Sequence, residues 1–280
     1  MLPLASSESS TRPFRVRRIE SGASSSFTDV VAVEEPLEIR LSYSFKSARR
    51  TDSAAVTMRT PGDERELAAG FLLSEGIIEK AADILEIRTL GAMGCNEVLV
   101  ELSPDVDVES WRLRRSTLLS SACGLCGKRT LDSIPFSSAT VGEGPYLSSE
   151  FIGRLPSLLS GHQADFSKTG GLHAAAVVRP DGELEALYED IGRHNALDKL
   201  IGHCLLEDRV PLADRIIFMS SRGSFELVQK SLAAGCAILA TIGAPSSLAI
   251  EFARDRKQTL IGFVRDSYFN LYSGEWRIHS

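Results

Sequence analysis

Two hydrophobic periods divide the chain. Leu37, Ile39, Leu41, Tyr43 and Phe45 alternate with more polar neighbours, the period of two that a half-buried strand requires. Residues 54–59 read as its partner strand. Thr60-Pro61-Gly62-Asp63 then opens a helix whose acidic first turn suits the N-terminal dipole; Leu67, Phe71 and Leu72 give it one apolar face, and Gly76 stops it. Strands follow at 84–90 and 97–102. From Pro104 to Ser121 the pattern dissolves into charged and serine-rich sequence, read as a loop.

The second half is more regular. A strand at 173–179, a Pro180-Asp181-Gly182 turn and a strand at 184–189 form a hairpin. Leu197, Leu200, Ile201, Cys204 and Leu205 then line one face of a helix. Strand 216–219, helix 225–234, strand 237–242, helix 248–254 and strand 259–264 complete the order, and this alternation implies parallel strands with crossover helices. The fold class expected is α/β. Residues 1–28 read as a flexible tail, 29–121 as a β-rich N-terminal domain ending in a mobile loop, and 122–280 as an α/β domain.

Composition narrows the class without naming a function. With 280 residues, 43% hydrophobic and 24% charged, the chain is an ordinary globular protein of one large or two modest domains. Its net charge of −6 argues against non-specific nucleic-acid binding, which needs surplus Lys and Arg. The longest nearly apolar stretch, Leu232 to Ala244, is far short of the roughly 20 residues a spanning helix needs, so no membrane is expected. The serine- and arginine-rich start superficially resembles an organelle transit peptide, but it has no apolar segment for secretion, and Phe14, Val16 and Ile19 make at most a ragged strand. Five cysteines, an odd number, fit a reducing cytoplasm better than an oxidised framework.

Parallel strands bring their carboxyl ends to one edge, where ligands of open α/β sheets bind. Three loops converge there: Ser220-Ser221-Arg222-Gly223-Ser224, Gly243-Ala244-Pro245-Ser246-Ser247 and Phe263-Val264-Arg265-Asp266-Ser267-Tyr268. The first two are small, hydroxyl-bearing and lead into helix N-termini, which favours an anion such as phosphate, and Arg222 and Arg265 could each fork onto its oxygens. The plainer reading is that Gly and Ser merely turn the chain. Neither a Walker loop nor a dinucleotide-binding glycine motif occurs.

Cys123-Gly124-Leu125-Cys126-Gly127 is the close cysteine pair, and it admits half a zinc site, a redox dithiol or a thiolate nucleophile. Zinc needs two more ligands, yet Cys204 and Cys236 lie in apolar or small-residue surroundings and read as core residues; Cys95 is unassigned. A deaminase zinc signature fails as well, because His173 is followed by alanines and Ala122 stands where proline belongs. Lys128 and Arg129 favour the thiolate electrostatically. Two histidine segments, TGGLHAAA at 169–176 and EDIGRHNALDKLIG at 189–202, suggest a lined cavity or simply a hairpin tied to its helix.

Together RTPGDERELAAGFLLSEGII at 59–78, CGLCG at 123–127, TGGLHAA at 169–175, EDIGRHNALDKLIG at 189–202, SSRGSFELVQK at 220–230 and GAPSSLAIEFA at 243–253 resemble the formate dehydrogenase accessory sulfurtransferase family, FdhD. The resemblance implies a cytoplasmic, homodimeric sulfur carrier with a cytidine deaminase-like three-layer domain. Such a carrier takes sulfur from a cysteine desulfurase as a persulfide. It passes that sulfur to the molybdenum (or tungsten) of bis-molybdopterin guanine dinucleotide, destined for a formate dehydrogenase. By position Cys123 would bear the persulfide and Cys126 would assist or resolve it. Phe263, Val264, Arg265, Asp266, Ser267 and Tyr268, with Ser221, Arg222 and Gly223, would hold the cofactor's guanine dinucleotide end. Asp266 and Tyr268 depart from the glycine and basic residue expected after Phe-Val-Arg, which subtracts positive charge from that loop. A dithiol oxidoreductase, or a chaperone that carries the cofactor without transferring sulfur, are the competing readings.

Overall fold

A computed structural model describes residues 9–46, 48–90, 96–108 and 141–279. The alternation seen in the sequence becomes a strand, β3 (Glu35–Phe45), whose odd-numbered residues Leu37, Ile39, Leu41 and Tyr43 are buried. It pairs antiparallel with β4 (Ala48–Arg59) and parallel with β6 (Glu97–Leu102), and β5 (Ile84–Leu90) closes the order β4-β3-β6-β5. Helix α1 (Glu64–Ser74) covers the buried face, entered through the left-handed Asp63.

The short strands β7 (Leu147–Ser148) and β14 (Ile278–His279) pair parallel, and the second large sheet has the order β13-β12-β11-β10-β8-β9. Its centre is β10 (Ile216–Met219), β11 (Ile238–Thr241) and β12 (Thr259–Gly262), mutually parallel and fully buried. The hairpin β8 (His173–Val178) and β9 (Leu184–Asp190) pairs antiparallel on one side, and β13 (Asn270–Ser273) on the other. Continuous burial on both faces explains why these strands read as short apolar runs rather than alternating ones.

Helices cover both faces. Helix α2 (Ser149–Ser160) lays Phe151, Ile152, Leu155 and Leu159 against Ala174, Ala176, Val178, Ile216, Phe218 and Ile261. It starts at Ser148, whose hydroxyl accepts from the Phe151 N–H at 3.2 Å. A short helix, α3 (Ala164–Thr169), leads into β8. On the opposite face α4 (Arg193–Leu206), α5 (Phe225–Ala233) and α6 (Ser247–Asp255) pack on Ala175, Val177, Ile217, Met219, Leu239 and Leu260. The same core continues through α1 to the four-stranded sheet, so the two sheets share one apolar interior.

The helices at the centre meet without side chains between them. A Cβ on Gly70 of α1 would lie 1.9 Å from the Asp198 carbonyl oxygen of α4, and one on Gly202 would lie 1.8 Å from that of Glu66. Only glycine permits this approach. Around the crossing, charged groups are buried in pairs. Lys230 of α5 donates to both carboxylate oxygens of Asp198 at 2.8 Å, and the Ser74 hydroxyl donates to Asp198 at 2.9 Å. Lys199, 1% exposed, donates to the Thr60 carbonyl and pairs with Asp190, each at 3.0 Å.

The expected flexible tail through residue 28 is corrected by the structure. Residues 11–32 form a long hairpin ribbon, β1 (Thr11–Glu20) and β2 (Ala23–Ala32), turning at Ser21-Gly22. The sequence signal is faint because Ser and Arg interrupt the apolar positions and none of the strand residues is buried. The expected boundary at residues 121 and 122 lies outside the described residues. Among the described residues, no helix is long and apolar enough to cross a membrane.

Candidate functional site

The carboxyl ends of β10, β11 and β12 run into the three loops expected there, and the main chain laces them together. Ile242 donates to the Met219 carbonyl at 3.0 Å and Gly243 to that of Ser221 at 2.9 Å. Gly223 donates to Ala244 at 3.1 Å and accepts from Ser246 at 3.0 Å, forming a bridge beside Pro245. The third loop joins when Phe263 donates to Gly243 at 3.2 Å and Val264 to Thr241 at 3.1 Å. Gly243 is required at this crossing, since a Cβ there would lie 2.8 Å from the Arg222 Cα.

Each sequence-predicted ligand residue takes a definite place on this edge. Ser221 and Gly223 are buried, while Arg222 between them is exposed. Phe263 adopts the left-handed region at φ 54°, which turns the chain out of β12 and leaves Val264 buried. Arg265 donates its backbone N–H to Tyr268 at 2.9 Å, closing a turn that presents Arg265, Asp266, Ser267 and Tyr268 to solvent. The Arg265 Nη1 reaches back to the carbonyls of Ile242 at 2.9 Å and Val264 at 2.7 Å. The guanidinium is therefore fixed on the edge by main-chain acceptors. Below this turn, Gly153 of α2 admits the Asp266 carbonyl, which a Cβ would meet at 2.8 Å.

Two loops pass into helix N-termini. Ser246 caps α6, accepting from Ala249 at 3.3 Å. Ser224 precedes α5 but directs its hydroxyl to Glu226 at 3.3 Å instead. Glu226 also meets His194 Nε2 at 3.0 Å. Burial alone would raise the Glu226 carboxyl, but the His194 hydrogen bond, helped by Ser224 and Arg193, outweighs it and leaves the group below its ordinary range.

Both histidine segments reach the same edge. Ala174 donates to the Ser220 hydroxyl at 2.8 Å and accepts from the Ser220 N–H at 3.0 Å, which seats His173 beside the first loop. Burial, then the charges of Arg193 and His194, hold the His173 imidazole below its ordinary value, with Asp190 opposing. Asp190 itself accepts from the N–H groups of Thr60 at 3.0 Å and Gly192 at 2.8 Å, tying α1's approach to α4's start. The Arg193-His194-Glu226 grouping was not assigned from the sequence. Its signal is present only as a density of charge at 189–194, which local sequence cannot pair with a carboxylate 32 residues beyond His194.

A polar cavity of about 320 Å³ lies away from the loops, lined by Asp63, Asp165, Tyr188, Glu189 and Lys199 among others. Burial, then Glu66 and Asp63, push the Tyr188 hydroxyl up to about 12. The expected core cysteines are buried, and burial raises Cys204 to about 11 and Cys236 to about 12, so neither is a thiolate near neutrality. Cys95, Cys123 and Cys126 lie outside the described residues.

Comparison with known proteins adds what geometry alone cannot. The model of the FdhD/NarQ family matches residues 32–279. The sulfur carrier protein FdhD of Streptomyces avermitilis is 42% identical over 273 residues, covering 94% of each chain. That of Saccharolobus solfataricus is 38% identical over 266 residues, covering 95% of this chain and 97% of the relative. A crystal structure assigned to a formate dehydrogenase accessory protein of Desulfotalea psychrophila superposes with a TM-score of 0.74 at 24% identity, covering 96% and 99% of the two chains, and so shares the fold.

Proposed function

The chain belongs to the FdhD/NarQ family, and from that premise we propose that it is a sulfur carrier whose Cys123 moves sulfur from a cysteine desulfurase to bis-molybdopterin guanine dinucleotide on its way to a formate dehydrogenase. In this reading the Cys123 thiolate attacks the outer sulfur of a desulfurase persulfide. A new S–S bond forms on Cys123, the old one breaks, and the desulfurase leaves as a thiolate, with no net oxidation. Cys126 assists or resolves the carrier. Delivery of the outer sulfur to the cofactor as sulfide would then break the S–S bond, return Cys123 as a thiolate and take up two electrons, supplied by the reduced metal or by an external thiol.

The observation that carries this reading is the laced edge. Two of its loops run into helix N-termini whose free N–H groups and dipoles suit phosphate, while Arg222 and the fixed Arg265 supply cations. The cofactor's pyrophosphate fits that chemistry, and the 263–268 turn flanks it for the guanine end. Asp266 lowers the local positive charge, so Arg265 carries most of the attraction on the third loop. The same proposal includes a cytoplasmic homodimer; for the cytidine deaminase-like arrangement, the support is the six-stranded sheet with helices on both faces.

The test is loading with a cysteine desulfurase and free cysteine, followed by mass spectrometry of the persulfide. Cys123→Ala should abolish loading, and Arg265→Ala should weaken binding of a guanine nucleotide at least tenfold while leaving loading intact. Equal loading on Cys204 or Cys236 in Cys123→Ala would sink the carrier assignment. A reversible Cys123–Cys126 disulfide with reductase activity and no persulfide would favour the oxidoreductase. Restored formate dehydrogenase activity with both cysteines replaced would favour the chaperone.

A further inference from the structure

The ribbon β1–β2 takes no part in the site, and its two edges differ in kind. Among the described residues it pairs with no third strand. The ribbon is anchored at its base, where Val33 donates to Ser10 at 2.8 Å and the Ser10 hydroxyl meets Asp165 of α3. Beyond that base, Phe14 is 48% exposed and Val31 36% exposed. A two-stranded ribbon this open is marginal by itself and gains stability when more strands join. The β1 edge resists joining, because it carries Pro13, which lacks an N–H, and Arg12, Arg15, Arg17 and Arg18. The β2 edge, Ala23-Ser-Ser-Ser-Phe-Thr-Asp-Val-Val-Ala32, has one charge and β-formers in the half nearest the base.

We propose that the β2 strands of two copies pair antiparallel, centred on Phe27, to make one four-stranded sheet across the dimer. This rests on the two-copy reading above. The register follows from the face that each residue shares. Within one ribbon Arg18 stands opposite Ser25, Val16 opposite Phe27, Phe14 opposite Asp29 and Arg12 opposite Val31. With Phe27 on the two-fold axis, Ser25 of one copy meets Asp29 of the other, and Ala23 meets Val31. Each row across the four strands is then complementary. Val16, Phe27 and their symmetry mates form an unbroken apolar ladder. Arg18 is separated from the second copy's Asp29 only by the small Ser25, and Arg12 lies in the row that ends on the second copy's Glu20. The Arg18 guanidinium already rests over the Phe27 ring, 4.5 Å from its centroid, so the central pair is flanked by cations rather than by water alone. Shifting the centre to Thr28 would set Phe27 against Asp29 and lose both features.

Sedimentation and cross-linking of the full chain test this. Across an antiparallel pair the Cα atoms of opposite residues lie roughly 4.5–5.5 Å apart, within disulfide reach, so Phe27→Cys should yield a peptide disulfide-linked to its own copy through position 27 under mild oxidation. Arg17→Cys on β1, three strands or about 14 Å from its nearest counterpart, should not. Ser26→Lys with Thr28→Lys places like charges opposite each other across the axis and should weaken the dimer at least tenfold while leaving persulfide loading unchanged. A dimer unmoved by the lysine pair, or cross-linked equally well by Arg17→Cys, overturns the interface while leaving the two-copy reading standing. A monomeric wild-type chain overturns both, and leaves the carrier chemistry to its own test.

Discussion

Replacing Gly202 with alanine puts the α1–α4 crossing under a defined strain. The new Cβ would sit 1.8 Å from the Glu66 carbonyl oxygen and 2.7 Å from the Gly70 nitrogen. Both are backbone atoms, so no rotamer change relieves the contact, and the helices must part by more than an ångström. That separation loosens Leu67, Leu72, Leu197 and Ile201 in the shared core and draws Ser74 away from Asp198. Overpacking typically costs about 1–3 kcal/mol, and a backbone clash belongs at or beyond the upper end. Against this, alanine gains about 1 kcal/mol of helix propensity over glycine. A net loss of about 2 kcal/mol or more is expected, read as a fall in Tm of at least roughly 4–8 °C by differential scanning calorimetry. Gly161→Ala is the control: its φ is −85° and no atom lies within 4 Å of the added methyl, so it should shift stability by less than about 0.5 kcal/mol. The double variant Gly70→Ala, Gly202→Ala should cost much less than the sum, because the first substitution already parts the helices. A Gly202→Ala protein as stable as wild type would refute the close-approach argument.

Two further predictions concern buried charge. Lys230→Met strands the Asp198 carboxylate, whose group burial already pushes up, and should cost about 3 kcal/mol in urea unfolding, with part recovered by adding Asp198→Leu; an unchanged midpoint would show that Lys230 contributes nothing to the core. His173 is held below the ordinary histidine value of 6.5, so the fold favours its neutral form. It contributes stability above that pH, and the contribution is lost as pH falls through the depressed value. Tm measured against pH should accordingly fall less steeply on the acid side in His173→Gln, and parallel curves would dismiss His173 as the source.

The α/β half was legible because its signals are local. Short apolar runs alternating with helical faces placed β10, β11, β12, α5 and α6 within a residue or two, and the convergence of their loops follows from parallel connection alone. Helix α2 was missed although Phe151, Ile152, Leu155 and Leu159 lie on one face, because Gly153 and Pro156 interrupt the run. Gly153 is there for the Asp266 carbonyl, a contact 113 residues away that no window can see. Buried charges are hidden from local sequence in the same manner. Nothing in the helical pattern marks Asp198, Lys199 and Lys230, yet each is buried beside a partner from another element. The ribbon failed for the opposite reason, since strand pairing there is made by backbone and turn while its side chains carry almost no apolar alternation.

The lacing of the three loops separates shape from chemistry. Nearly every bond that holds the edge together runs from one peptide group to another, so the contour survives exchange of the side chains projecting from it. Asp266 and Tyr268 hang from such a contour. Their departure from the glycine and basic residue of the resembled pattern alters the charge offered to a ligand while leaving the scaffold's outline intact. A substitution at either position should therefore change the charge of this rim without disturbing the main-chain bonds that shape it.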